Sequence, residues 1–250
     1  MTGTGTQTLT ASSNFTGATT VNQGRLIVSG SLTGTTAVSV AGGAHLEVDG
    51  MVNNGTNISV TGYLNGTGSV GPVTVASNGT LGPGRNTLGS ADAGTLTANG
   101  NVVLTDTSSV FSVRLGAGDS DQLALDPGDL VSLNNATLKL TLDPDFAQQV
   151  VGFIYVLING GTATTGDISG EFEQGTQIAD TIGDQYNILY NVNASGVAGA
   201  GDDVDLQLTA VPEPGTWAMI LSGMGLLALW QRSSRACYRP VQATGTRSSS

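Results

Sequence analysis

The chain has 250 residues, 37 of them glycine, with 11% charged and 5% aromatic side chains and a formal net charge of −11. All 19 acidic residues lie at or before Glu213, and four of the eight basic ones (Arg232, Arg235, Arg239, Arg247) lie beyond it. An acidic body of this kind disfavours nucleic acid and anionic lipid as its partners, and the lone Cys237 excludes an intramolecular disulfide framework.

Met1-Thr2-Gly3-Thr4-Gly5 has neither the basic start nor the apolar run of a secretory leader. Because these residues already read as repeat sequence, the start is expected to be a truncation. From Thr2 to about Gln122, apolar pairs recur at spacing two: Leu26/Val28, Val38/Val40, Leu46/Val48, Ile58/Val60 and Val73/Val75. Spacing two puts both side chains of a pair on one face of a strand. A longer period lies on top. Leu26 to Leu46 and Val38 to Ile58 are 20 positions apart, and Val75 to Leu96 and Leu81 to Val102 are 21, with a slip around Gly66 to Gly71. Self-similarity at this length predicts a solenoid of short stacked strands turning at Gly and Asn. A parallel β-helix is the simplest form. A β-sandwich stays open, and the Leu/Asn consensus of leucine-rich repeats is absent.

From Leu123 to Ala210 the predicted strands lengthen. Leu138, Leu140 and Leu142 alternate with polar residues and stop at Asp143-Pro144-Asp145. Phe146 to Val150 is read as one helical turn, and Phe153 to Ile158, Tyr186 to Tyr190 and Val204 to Leu208 as strands. This segment is expected to cap the open end of the solenoid. Asp202, Asp203 and Asp205 are expected to place like charge at that end and discourage stacking.

Val211-Pro212-Glu213-Pro214 follows, a sequence no helix interior tolerates. Then comes the uncharged run Trp217-Ala218-Met219-Ile220-Leu221-Ser222-Gly223-Met224-Gly225-Leu226-Leu227-Ala228-Leu229-Trp230, and then Arg232 and Arg235. The run is shorter than the roughly 20 residues of a standard span. Gly215, Thr216 and snorkelling arginines narrow the gap, and the two tryptophans sit where interface anchors sit. A single transmembrane helix is expected, with the basic residues on the cytoplasmic side and the body outside. A buried core helix is the competing reading, but nothing in this strand-rich chain offers it a pocket.

Two resemblances follow from these residues. The order Pro212-Glu213-Pro214, apolar helix, Arg232 and Arg235 resembles the PEP-CTERM sorting signal of exported bacterial proteins. Here the arginines are separated by Ser233-Ser234, and a tail, Ala236 to Ser250, follows. The resemblance implies export, anchoring in the inner membrane, and recognition by an exosortase-type protease, with Glu213 the recognised residue. Leu9 to Leu26 resembles the autotransporter-associated β-strand repeat, and Gly62 to Gly84, Asp119 to Leu123 and Asp202 to Leu208 resemble the passenger that follows it. That family implies a right-handed parallel β-helix with no shared catalytic residue. The expected organisation is therefore an all-β repeat region (1–122), a β cap (123–210), the sorting signal with its helix (211–235) and a basic tail (236–250).

Candidate chemistry is sparse. His45 is the only histidine; it is placed on the outer face of its strand, and Glu47 is read as facing the opposite side, away from it. Without an oriented base beside a nucleophile, catalysis is not expected. Asp119, Asp121, Asp126 and Asp129 lack EF-hand spacing and are read as solvated turn carboxylates rather than a metal site. Arg25, Arg85, Arg114 and Lys139 are read as scattered, which argues against a lyase. The expectation is thus a non-enzymatic surface or exopolysaccharide-associated protein with no metal or cofactor. The alternative is a binding module for glycans, with Tyr63 as an aromatic platform, or for ice, with Thr2, Thr4, Thr6, Thr8, Thr10, Thr35, Thr95 and Thr97 as a threonine ladder.

Overall fold

The computed structural model describes residues 1–53, 55–85, 93–144, 146–160, 168–193 and 201–212. Residues 1–211 form one compact unit, and Pro212–Ser250 a second, of which only Pro212 is described. The chain winds repeatedly through three sheets in the same order. Sheet A holds Thr6–Leu9, Arg25–Val28, His45–Val48, Tyr63–Gly66, Thr80–Pro83, Val110–Leu115 and Thr137–Leu142. Sheet B takes Ser12–Ser13, Ser31–Leu32, Met51–Val52, Ser69–Val70, Thr95–Ala98, Gln122–Leu125 and Ile154–Asn159. Sheet C takes Thr19–Val21, Ala37–Val40, Asn57–Val60, Val73–Val75, Val102–Leu104, Val131–Ser132 and Ile168–Ser169. Neighbours within these three sets pair in parallel, as the strands of a β-helix do.

The ten residues of the five apolar pairs all point inward and are buried. Stacking in register turns them into ladders. Leu26, Leu46, Leu64 and Leu81 sit one upon another, and Phe111 and Leu138 continue the column. Burying such columns against those of the other two sheets is the main source of stability, since each rung alone cannot cover its apolar face.

The 20-residue period holds where it was read: Leu26 stacks on Leu46, and Val38 on Ile58. The coil then tightens, with Tyr63 stacking on Thr80, 17 positions on, and Ile58 on Val73, 15 positions on. The 21-residue period beyond Gly71 is not the register. Val75 stacks on Leu104 and Leu81 on Phe111, steps of 29 and 30. The 21-residue spacings link strands of different sheets, because one short apolar pair resembles another whichever sheet it serves.

Parallel stacking continues past Gln122 to Ile168–Ser169. Sheet B then changes direction. Asp203–Ala210 pairs antiparallel with Ile154–Asn159, Gln185–Val192 with Asp203–Ala210, and Gln177–Ala179 with Gln185–Val192. Residues 171–174 lie along the last rung: Asn135 donates to the Glu171 carbonyl and Glu173 N–H to that of Ala136. Phe172 is buried and stacks on Phe111 at 5.9 Å. The Gln174 amide accepts from Leu138 N–H at 3.0 Å and donates to Leu138 C=O at 3.0 Å. One side chain thus does for Leu138 what a further strand would do.

Two expectations about this region are corrected. No helical turn forms at residues 146–150; a single hydrogen bond from Phe146 N–H to Asp143 C=O makes an isolated turn instead. Asp202, Asp203 and Asp205 are not end charges. All three are buried, and Asp203 and Asp205 lie on a strand flanked on both sides by others. Among the described residues there is no helix long and apolar enough to cross a membrane, and Trp217–Trp230 lies outside them.

Gly66 marks the point where the coil tightens. Its φ is +136°, and a Cβ there would lie 1.9 Å from the Val48 carbonyl oxygen. Gly66 and Gly84 also exchange backbone hydrogen bonds of 2.9 Å across an antiparallel bridge. Gly66→Ala is expected to cost about 2 kcal/mol or more, read as a lowered midpoint in chemical denaturation.

Candidate functional site

Outward residues of sheet A fall into register as the inward ones do. Arg25 sits beside His45, His45 beside Tyr63, and Tyr63 beside Thr80. Glu47 sits beside Asn65, and Asn65 beside Gly82. Farther along, Ser112 lies beside Lys139 and Arg114 beside Thr141. His45 and Glu47 are two apart and share the outer face, contrary to the expectation that they oppose each other. Glu47 is nonetheless buried, and it is ion-paired with Arg25.

His45 packs edge-on against Tyr63, with ring centroids 4.7 Å apart. The Asn65 Nδ2 donates to Gly84 C=O at 3.3 Å, which turns its Oδ1 toward His45 Nε2 at 2.8 Å. The Nε2 therefore carries the proton. Burial, and then the Arg25 charge, lower the His45 pKa, so the ring is neutral at pH 7. Burial, with Asp121 adding to it, raises the pKa of the Tyr63 phenol. Its hydroxyl lies over Gly82, where a Cβ would approach it to 2.4 Å.

The other half of the face is built on Arg114. Its Nε and one terminal nitrogen, Nη2, bind the two oxygens of Asp121 at 2.9 and 3.1 Å, a bidentate pair. Nη1 donates to Asp143 Oδ1 at 3.2 Å. Asp121 also accepts from Gly94 N–H at 3.0 Å. Hydrogen bonding to Asp121 raises the pKa of Arg114, although burial opposes it. Both carboxylates are buried, so Asp121 is not the solvated turn carboxylate expected, whereas Asp119 and Asp126 are exposed. Arg85 binds Asp49 at 3.0 Å and stays half-exposed. Lys139 is exposed, and among the described residues no carboxylate lies within ion-pair distance of it.

Arg85, Arg114 and Lys139 line one cavity of about 250 Å³ with Tyr63, Ser112, Asp121 and Thr141. They are not scattered: the register gathers residues separated by 25 or more positions. A second cavity of about 300 Å³ shares Tyr63 and adds His45, Thr61, Asn78 and Thr80. The threonine ladder does not form at Thr35, which is buried and donates to the Gly17 carbonyl at 3.0 Å. Val211 is half-buried and Pro212 exposed at the end of the last strand; Glu213, Pro214, Trp217–Trp230, Arg232 and Arg235 lie outside the described residues.

The last strand, Asp203–Ala210, delivers the chain directly to Val211 and Pro212. Residues 210–235 match the PEP-CTERM protein-sorting motif. Residues 1–28 match the passenger-associated-transport-repeat. No curated protein and no solved structure matches the chain. The PEP-CTERM motif implies an exported protein, anchored at the membrane and processed by an exosortase. The repeat match covers the first rung of the coil and the start of the second, in agreement with stacked parallel sheets.

Proposed function

We propose that this is a non-enzymatic protein of the cell surface or extracellular matrix, associated with exopolysaccharide. Trp217–Trp230 anchors it in the inner membrane as a helix, with Arg232 and Arg235 on the cytoplasmic side and the β-helix outside. An exosortase then cuts near Pro212-Glu213-Pro214 and frees the body. The coil is right-handed, following the general hand of parallel crossovers. The observation that carries this reading is the sorting-motif match placed immediately after the final strand of the body. The two prolines keep the approach to the membrane extended, which suits a protease cleft. The absence of turnover is supported by the sheet A contacts: Asp121 is engaged by Arg114 and Gly94, and the His45 Nε2 proton is directed at Asn65.

In an exosortase-bearing host, mass spectrometry of the released chain should find it ending near Pro212, and Glu213→Ala should abolish release. Release of a chain that still contains Trp217–Trp230, or unchanged release of the Glu213→Ala variant, makes the segment a plain tail anchor. A second reading, a ligand-binding β-helix, is favoured by the two adjoining cavities on sheet A.

A further inference from the structure

Residues 1–211 contain only four basic side chains, Arg25, Arg85, Arg114 and Lys139, against 18 acidic ones. Arg25, Arg114 and Lys139 lie on the outer face of sheet A, and Arg85 follows its strand Thr80–Pro83. Three of the four line a single cavity. Arg85 is paired there with Asp49, and Arg114 with Asp121 and Asp143, so among the described residues Lys139 supplies the charge that is left over for an anion. Arg114 is held rigid by Asp121 and Asp143, while Lys139 has its charge free to engage a ligand. The neighbouring cavity offers neutral polar groups, Thr61, Asn78, Thr80 and His45, with Tyr63 between the two. From the His45 strand to the Lys139 strand are four strand spacings, or about 19 Å.

We propose that this face binds an acidic polysaccharide: the carboxylate of a uronic acid unit sits on Lys139 with Arg85 and Arg114, and the next sugars run across Tyr63 toward His45. The cationic cavity reads the acid group. The hydroxyls of Ser112, Thr141, Thr61 and Thr80 meet the sugar hydroxyls, and Tyr63 supplies an apolar surface with a polar tip. The neutral half distinguishes such a ligand from a free anion, which would use the cationic half alone. The inference rests on the extracellular reading only for the source of the ligand; binding by purified protein is independent of sorting.

The test uses the full chain purified in mild detergent and titrated with tetragalacturonate, its fully methyl-esterified form, and inorganic phosphate. Calorimetry should show binding of the acid but not of the ester. Lys139→Gln, an exposed change that leaves the core untouched, should weaken it about tenfold or more, and Lys139→Arg should restore most of the loss. Tyr63→Ala, which removes the surface shared by both cavities, should weaken binding of the tetrasaccharide. No binding of the acid, equal binding of acid and ester, no loss in Lys139→Gln, or phosphate binding as tight as the saccharide would each overturn the proposal. None of these outcomes bears on whether Glu213 directs release.

Discussion

Arg114→Met is expected to destabilise the β-helix by about 3–5 kcal/mol, because it leaves Asp121 and Asp143 charged and buried without their cation. For a unit of this size that is a fall in melting temperature of roughly 6–20 °C. Methionine keeps most of the bulk of the arginine stem, so lost packing contributes little. The cause can be isolated. Adding Asp121→Asn and Asp143→Asn to Arg114→Met removes the stranded charges and should recover part of the loss. Lowering the pH should also narrow the gap between Arg114→Met and wild type, as the stranded carboxylates take up protons. Thermal melts at pH 7 and pH 4 measure both effects. A loss that is the same at the two pH values would assign it to packing instead.

Asp205 gives the second large effect, with the opposite pH dependence. It is fully buried, neither of its oxygens has a hydrogen-bond partner, and burial, with Asp203 adding to it, pushes its pKa up to about 7. Burial raises the Asp203 pKa too, although Asp203 accepts from Gly160 N–H at 3.2 Å. Between about pH 4 and pH 7 the folded chain holds a proton at Asp205 that the unfolded chain has released. Stability therefore falls as pH rises through this window, by at most about 4 kcal/mol. Asp205→Asn keeps the shape and cannot ionise. It should match wild type below about pH 4 and melt higher at pH 8, by up to about 16 °C. A variant less stable than wild type at pH 8 would mean that the ionised carboxylate is held by a favourable contact. Asp205 is the reverse of Asp121: one carboxylate is stabilised by a fixed cation, the other tolerated only while protonated.

Much of the coil was legible because burial alternates so strictly. Leu26/Val28 and Leu46/Val48 read as inward pairs from spacing alone, and their 20-residue step is the true register. Beyond Gly71 the same method failed. A pair such as Val73/Val75 carries no mark of its sheet, and turns of unequal length separate the strands, so counting matched Val75 to Leu96 instead of Leu104. The site was less legible for the same reason. Arg85, Arg114 and Lys139 look unrelated along the chain, and only the stacking of Val110–Leu115 on Thr137–Leu142 and on Thr80–Pro83 brings them together. The shared face of His45 and Glu47 was readable, since they stand two apart, but was assigned to opposite sides. Asp203 and Asp205 alternate with Val204 and Leu206, which correctly marks a strand with one polar side. The alternation does not say that this strand runs between two others, where a polar side can be buried as well.

A rod whose rungs touch only their neighbours loses order progressively from an exposed end. At the last rung of sheet A, the backbone of Leu138 is occupied by nothing larger than the Gln174 amide. That contact is a latch. When it opens, the N–H and C=O of Leu138 are left unpaired on an edge strand, open to an extended segment from another chain. Gln174 thus closes the edge at Leu138, where a fold built by adding strand to strand would otherwise take one strand more.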